Sequence, residues 1–220
     1  MIAVSATGVD APSLSALRHW VFDLDGTLTE AVHDFVLIRR ALDIPLEDDI
    51  LAHLAALPAS EAQDKRAWLM RHERGLAEAA TAAAGAVALV RALHARGCRL
   101  GILTRNAREL AWVTLATIGL ADVFDEADII GRDEAAPKPA PDGLHYFAAR
   151  WNVPPAQMVM VGDYRFDIEC GIAAGTRTVL VNCREETWST QATWRLADCA
   201  TILAGLGPTQ VEGGQRDRVE

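Results

Sequence analysis

The chain alternates short apolar segments with segments of helical periodicity after Gly85, and this alternation restricts the possible folds most strongly. Four apolar segments are strand-like, and helical segments separate them: CRLGILT, a short stretch near 127–130, QMVMVGD and TRTVLVN. Short apolar strands that alternate with helices pair in parallel through right-handed crossovers. The sequence therefore predicts an α/β fold with a doubly wound, mostly parallel sheet.

A further apolar strand, HWVFDLD, lies far upstream at residues 19–25. Between it and the alternating region, the chain has helical periodicity and no strand pattern, and Ser60 with Gln63 forms a capping box typical of a helix start. We therefore predict a Rossmann-like catalytic core formed by residues 17–28 and 85–206, with an all-helical insert at 29–84. ATIL at 200–203 is a candidate last strand, and residues 1–16 and 207–220 are predicted to be loosely ordered.

Composition excludes several classes of protein. The net charge of −9 argues against a nucleic-acid or anionic-membrane binder. The four cysteines form no C-x-x-C pair, and no segment has the pattern of a signal peptide or membrane span. We expect a cytoplasmic protein with reduced cysteines that is a monomer or a weak dimer. Its expected partner is a small phosphorylated metabolite, and we expect it to bind neither nucleic acid nor a membrane.

Chemistry-bearing residues follow the predicted strands at the ends where ligands bind in such sheets. Four separate segments bring them to one edge: Asp23 and Asp25 after the first strand, Thr104, Arg105 and Asn106 after the second, Lys138 between two prolines, and Asp163 and Asp167 after QMVMVGD. Lys138 is notable because only two of the 21 basic residues, Lys65 and Lys138, are lysines.

Four neighbouring carboxylates would repel one another unless a cation joins them. Mg²⁺ prefers oxygen ligands and commonly binds one or two carboxylates together with phosphate oxygens. Thr104, the amides of residues 105–107 at a predicted helix start, and the ammonium of Lys138 suit a phosphate group. A carboxylate beside such a phosphate can act as a nucleophile. The pattern therefore favours phosphoryl chemistry that depends on Mg²⁺.

Each segment alone has a simpler interpretation. D-x-D-G could be a plain turn, Thr104–Asn106 a helix cap with Glu109, and Lys138 a surface residue. A calcium loop is disfavoured, because Gly26 comes too early and no glutamate follows at the required position. The joint occurrence of the segments, in order and at successive strand ends, is what indicates a site.

Four segments, VFDLDGTL, ILTRN, APKPAPDGL and VGDYRFD, resemble the four motifs of the haloacid dehalogenase superfamily, and in particular of its phosphatases. The helical insert after the first motif is similar to the small cap of the phosphoglycolate phosphatase-like branch. The resemblance implies a nucleophile at Asp23, a general acid and base at Asp25, and a Mg²⁺ cofactor.

The resemblance also implies roles for the other residues of the site. It implies that Lys138 steadies the phosphoryl group, so that Lys138 is a catalytic residue together with Asp23 and Asp25. The implied phosphate-binding residues are Thr104, Arg105, Asn106 and Lys138. The implied metal site comprises Asp23, the backbone carbonyl of Asp25, Asp163, and Asp167 as an orienting residue.

The expected function is that of a Mg²⁺-dependent phosphatase acting on a small-metabolite phosphate monoester through an aspartyl-phosphate. Dehalogenases of the superfamily lack the second acid, here Asp25, and its phosphonate-cleaving branch uses a cap lysine, whereas Lys65 comes late in the insert. A phosphomutase on the same fold and a phospho-accepting signalling domain stay open as alternatives.

Several further residues are candidates for the cleft between insert and core. His33 and Asp34 follow the first motif closely, and Arg39 or Arg40 could meet a substrate anion, although a solvated helix face is the simpler interpretation. Trp188 and Trp194 lie in a polar stretch after the last predicted core strand, where they could cover the core or form a contact surface.

Overall fold

The computed structural model describes residues 13–183 and 191–207. Within these residues, six strands form one parallel sheet in the order β3-β2-β1-β4-β5-β6. The strands are β1 His19–Phe22, β2 Arg99–Leu103, β3 Ile129–Ile130, β4 Met158–Gly162, β5 Arg177–Leu180 and β6 Trp194–Arg195. The predicted α/β fold with a doubly wound parallel sheet is confirmed.

Both faces of the sheet are covered by helices, which explains the continuous apolar character of its strands. Side chains of β1 alternate between the faces, so that Trp20 and Phe22 join one apolar cluster and Val21 joins another. All three are fully buried. The helices of the core are α4 Ala86–Ala95, α5 Arg108–Thr117, α6 Asp142–Trp151, α7 Arg165–Ala174 and α8 Cys199–Gly205.

The segment between β1 and α4 folds into three helices, α1 Phe35–Ala41, α2 Ile50–Ala56 and α3 Ala59–Glu78. They share an apolar cluster of their own, which includes Ile38, Ile50 and Leu69. A second cluster joins Ala77 of α3 to Leu110 of α5. We call α1–α3 the cap; the exact division of the chain into core and cap stays a prediction.

Three local predictions are wrong, each because of a hydrogen bond or a proline. ATIL lies in α8 and not in a strand, since Asp198 accepts hydrogen bonds from the amide and hydroxyl of Thr201 at 2.7 and 2.8 Å. Helix α3 begins at Ala59 after Pro58, without the predicted capping box. Asn106 does not cap α5 with Glu109, because its Oδ1 accepts from the adjacent amide of Ala107 at 2.8 Å.

The last strand is β6, which pairs with β5. Its first residue, Trp194, is buried in the main apolar cluster of the core. Of the predicted loose lead-in, Leu14–Ala16 forms a single 3-10 turn. Residues 1–12 and 208–220, and Trp188, lie outside the described residues. No described helix combines the length and hydropathy needed to cross a membrane.

Candidate active site

Asp23 and Asp163 follow two neighbouring strands, and the register brings them side by side. Phe22 of β1 pairs with Val161 of β4, and the amide of Asp23 donates to the Val161 carbonyl at 2.8 Å. The chain then turns at Gly26, whose φ is +90°. A Cβ on Gly26 would lie 2.4 Å from Oδ2 of Asp163, so a glycine is needed where the two acidic segments meet.

Lys138 connects two of the acids from a third segment. Its Nζ donates to Oδ1 of Asp23 at 2.5 Å and to Oδ1 of Asp167 at 2.6 Å, and only 2 % of its side chain is exposed. Burial alone would lower the pKa of Lys138, but the charges of Asp167 and Asp23 and its bonds to them raise that pKa above its ordinary value. The ammonium therefore stays charged inside the site.

Asp23, Asp163 and Asp167 form an acidic cluster that suits a hard cation. Each offers a carboxylate oxygen, and these oxygens all lie within 4.8 Å of one another. The buried Thr27 hydroxyl lies 3.2 Å from Oδ2 of Asp23 and 3.1 Å from Oδ1 of Asp163. Burial, with the charge of Asp23 adding to it, raises the pKa of Asp163, and burial also raises that of Asp167 despite Lys138. One ammonium does not balance these acids, and an all-oxygen donor set fits Mg²⁺.

Asp25 stands apart from this cluster. Its side chain is 27 % exposed and lines the adjoining cavity. Burial and the charge of Asp23 raise the pKa of Asp25 to about 7, although a hydrogen bond with Asn106 and the charge of Lys138 lower it. A carboxyl group with a pKa near neutrality can both donate and accept a proton, as a general acid and base must.

The segment after β2 brings Thr104, Arg105 and Asn106 to the same cavity. Oγ1 of the buried Thr104 accepts a hydrogen bond from the backbone N–H of Asn106 at 3.0 Å. Arg105 extends instead toward the cap, where its guanidinium contacts Oδ2 of Asp49 at 2.5 Å and the carbonyl of Lys138. Its part in phosphate binding stays a prediction, and its bond to Asp49 joins the core to the N-cap residue of α2.

A cavity of about 390 Å³ lies between the cap and the strand ends. His33 lines it, with its Nδ1 4.0 Å from Oδ1 of Asp25 and its ring stacked on Phe35. Arg39 also lines it, but its Nε donates to the carbonyl of Asp48 at 2.9 Å. Asp34 caps α1 by accepting from the Leu37 amide at 2.9 Å. Neither Asp34 nor Arg40 is among the described residues that line the cavity.

Sequence reasoning missed Glu73, which the structure adds to this wall, and its hydrogen-bond partner Arg132. Glu73 lies on α3 and lines the cavity, and its Oε1 accepts from Arg132 at 2.9 Å. A glutamate on a helix ordinarily faces water, so the sequence carried no signal for it. Gly162 with Asp163 is only a weak signal in the sequence, but a Cβ on Gly162 would lie 2.2 Å from Cγ of Asp167, so a glycine is needed at the end of β4.

Comparisons with known proteins identify the family to which this chain is similar. The family model described as haloacid dehalogenase-like hydrolase matches residues 17–175. A phosphoglycolate phosphatase of Rhodospirillum rubrum is 32 % identical, over 89 % of this chain and 93 % of that protein. An N-acetylmuramic acid 6-phosphate phosphatase of Pseudomonas putida is 30 % identical, over 75 % of this chain and 82 % of that protein.

A solved structure extends the agreement to the fold. The crystal structure of a predicted phosphoglycolate phosphatase from Haemophilus somnus superposes with a TM-score of 0.68 at 20 % identity, over 86 % of this chain and 97 % of that chain. The family match covers β1, the cap and the core through α7, which includes every acid of the site. On this evidence, the chain belongs to the haloacid dehalogenase-like hydrolase family.

Proposed function

We propose that this protein is a Mg²⁺-dependent phosphatase that hydrolyses a phosphate monoester of a small metabolite through an aspartyl-phosphate on Asp23. The observation that carries the proposal is the contact of Lys138 with both Asp23 and Asp167, beside a separate Asp25 whose pKa is raised to about 7. The phosphatase names of the two relatives support hydrolysis of phosphate esters.

In the first step, a carboxylate oxygen of Asp23 attacks phosphorus and the bond between phosphorus and the ester oxygen breaks. Asp25 gives its proton to the departing alkoxide. Lys138 holds Asp23 in place and offsets negative charge, while Thr104 and Asn106 supply hydrogen-bonding groups for the phosphoryl oxygens. The products of this step are the free alcohol and phospho-Asp23.

In the second step, ionised Asp25 takes a proton from a water molecule as the water oxygen attacks phosphorus. The bond between Asp23 and phosphorus breaks, inorganic phosphate leaves, and Asp25 is again protonated. Asp23, the backbone carbonyl of Asp25 and Asp163 would hold Mg²⁺, with Asp167 orienting them. When bound, Mg²⁺ supplies positive charge that offsets the charge of the acids and of the phosphoryl oxygens.

The cavity supports a small substrate. Its volume of about 390 Å³ is at the low end of the ordinary range for small-molecule sites. The Arg105–Asp49 contact joins cap and core along its wall, which limits access by large partners. We therefore expect little action on folded phosphoproteins or nucleic acids.

Hydrolysis of p-nitrophenyl phosphate with Mg²⁺, with Ca²⁺ and with chelator tests the proposal. We expect release of inorganic phosphate with Mg²⁺, a lower rate with Ca²⁺, and none in chelator, because Ca²⁺ adopts larger and looser coordination. Full activity in chelator would contradict the proposed dependence on Mg²⁺. Conversion of one sugar phosphate into its isomer without phosphate release would favour the phosphomutase alternative. Membership of a hydrolase family argues against the signalling domain.

A further inference from the structure

The guanidinium of Arg105 lies where the cap meets two segments of the catalytic core. Its Nη2 contacts Oδ2 of Asp49 at 2.5 Å, and its Nη1 donates to the backbone carbonyl of Lys138. Its Cζ lies 4.8 Å from the centre of the Phe166 ring. Asp49 is the N-cap residue of α2, whereas Phe166 belongs to α7 of the core. One side chain therefore contacts three segments that are distant in the sequence.

The contact with Lys138 matters because that residue lies in neither a strand nor a helix. Lys138 occupies a turn between β3 and α6. Its ammonium nevertheless meets Asp23 and Asp167 at 2.5 and 2.6 Å, in a space that leaves the side chain 2 % exposed. A hydrogen bond from a charged guanidinium to the Lys138 carbonyl fixes the backbone from which this side chain extends.

The contact with Phe166 acts on the partner of the same lysine. Phe166 directly precedes Asp167 in α7, and the guanidinium over its ring is a cation–π contact. Arg105 thus contacts both segments that the hydrogen bond between Lys138 and Asp167 joins. Because Lys138 also bonds to Asp23, a displaced Arg105 would misplace the proposed nucleophile.

Asp49 uses its two carboxylate oxygens for two different partners. Oδ1 accepts from the amide of Ala52 at 3.0 Å and caps α2, while Oδ2 contacts Arg105. These two contacts can be separated by substitution. Asparagine caps a helix as well as aspartate does, but its NH₂ group would face the guanidinium in place of an oxygen.

We propose that Arg105 is a positioning residue: Asp49 orients its guanidinium, and the guanidinium holds the backbone of Lys138 so that the ammonium meets Asp23. Arg105 then acts through Lys138 and not through a bond to the phosphoryl oxygens, which is the role that the motif resemblance implies for it. The cap takes part in the chemistry through Asp49. This inference rests on the proposed phosphatase activity.

Asp49→Asn tests the inference by kcat and KM for p-nitrophenyl phosphate with Mg²⁺. A misplaced Lys138 affects the transition state, so we expect kcat to fall by about tenfold or more while KM changes by less than about threefold. Asp34→Asn is the matched control and should keep native values. Asp34 caps α1 by accepting from the Leu37 amide, and it is not among the described residues that line the cavity.

Arg105→Met completes a double-mutant cycle, because methionine keeps an unbranched apolar stem and removes the guanidinium. We expect kcat to fall in this variant as well. The double variant should lose no more than the more impaired single variant, since the two residues act as one unit. Losses that multiply in the double variant would contradict the inference.

Two other results would overturn it. If Arg105 binds the phosphoryl group directly, Arg105→Met should raise KM, and Asp49→Asn should lower KM because it frees the guanidinium for an anion. If the pair only holds the cap against the core, Asp49→Asn should raise KM and leave kcat native.

Asp49→Ser repeats the test if Asp49→Asn does not fold, since serine keeps a capping oxygen and lacks the second one. The native protein separates the two levels of the account. If it hydrolyses p-nitrophenyl phosphate and the Asp49 variants match it in kcat and KM, the inference fails and the phosphatase proposal stands. If the native protein hydrolyses no phosphate ester, the phosphatase proposal itself fails.

Discussion

Lys138 donates a hydrogen bond of 2.5 Å from Nζ to Oδ1 of Asp23, although 115 positions separate the two residues in the chain. A second bond of 2.6 Å joins the same Nζ to Asp167. A compact ammonium on a flexible stem can meet two carboxylates in a space that leaves it 2 % exposed. This geometry accounts for the use of lysine in a chain whose other basic residues, except Lys65, are arginines.

Lys138→Arg is therefore expected to lose most of the activity although the charge is kept. A planar guanidinium is larger than an ammonium and cannot reproduce both short bonds in so closed a space. We expect kcat for p-nitrophenyl phosphate to fall by about a hundredfold, the scale of a misplaced group in an active site. Lys65→Arg is the matched control, because Lys65 pairs with Glu61 on α3 and should tolerate the change. Near-native kcat in Lys138→Arg would contradict this account of the lysine.

The stability of the metal-free protein should depend on pH in a defined direction. The pKa of Asp25 is raised from 3.8 to about 7 in the folded protein, and those of Asp163 and Asp167 are raised as well. Between about pH 4 and pH 7, these carboxyl groups therefore bind more protons in the folded state than in the unfolded chain. The free energy of unfolding is therefore highest below about pH 4 as far as these groups are concerned, and it falls as pH rises through 7.

Mg²⁺ should reverse that loss, since it binds the ionised acids of the folded state. Thermal unfolding with chelator and with Mg²⁺ at pH 5 and pH 8 measures the effect. We expect the increase in Tm that Mg²⁺ produces to be larger at pH 8 and to shrink in Asp163→Asn. A Mg²⁺ effect of equal size at both pH values would mean that the acids do not resist ionisation as the structure indicates.

Gly26 and Gly97 allow two effects of replacing a glycine by alanine to be measured separately: the backbone strain at a positive φ, and the clash of the new Cβ with a neighbouring side chain. Alanine is unfavourable at the φ of +90° of Gly26, and a Cβ there would also lie 2.4 Å from Asp163. Gly97 has a φ of +69°, but a Cβ at that position would have no neighbouring atom within 4 Å. We expect Gly97→Ala to lower stability by about 1 kcal/mol with activity retained, and Gly26→Ala to lose activity as well. Equal activity in the two variants would show that the position of Asp163 is not critical.

The sheet was predictable from sequence because its central strands are buried on both faces, and the site was predictable because two of them, β1 and β4, are followed directly by acids. Val21 and Phe22 point to opposite faces, which demands a continuous apolar run, and the parallel register then brings the residues after β1 and β4 together. The positions of Asp23, Asp163 and Lys138 at one edge follow from that topology. Their catalytic roles stay predictions.

Contacts between cap and core could not be predicted in the same way. The Glu73–Arg132 pair joins residues 59 positions apart, and the Arg105–Asp49 pair joins residues 56 apart. Neither depends on a periodic pattern, and each is set by how α2 and α3 pack above the strand ends. The error at ATIL has a local cause, since the side chain of Asp198 starts a helix where apolarity alone favoured a strand.

Substitutions of the two acids that follow β1 should block different steps of the reaction if Asp23 attacks phosphorus and Asp25 transfers protons. Asp23→Asn removes the nucleophile, so turnover should stop and no covalent intermediate should form. Asp25→Asn keeps the nucleophile but lacks the base for the second step. Loss of a general acid–base group typically slows its step by about 10²–10⁴-fold. A p-nitrophenolate leaving group hardly needs protonation, so the first step should survive.

The most direct test is the mass of intact Asp25→Asn protein after it is mixed with p-nitrophenyl phosphate and Mg²⁺. We predict a burst of about one p-nitrophenol per protein, then a stall, with the protein heavier by one phosphoryl group. The added mass should be absent when Asp23 is also changed to Asn. Turnover of Asp25→Asn at the native rate, with no added mass, would contradict the aspartyl-phosphate mechanism.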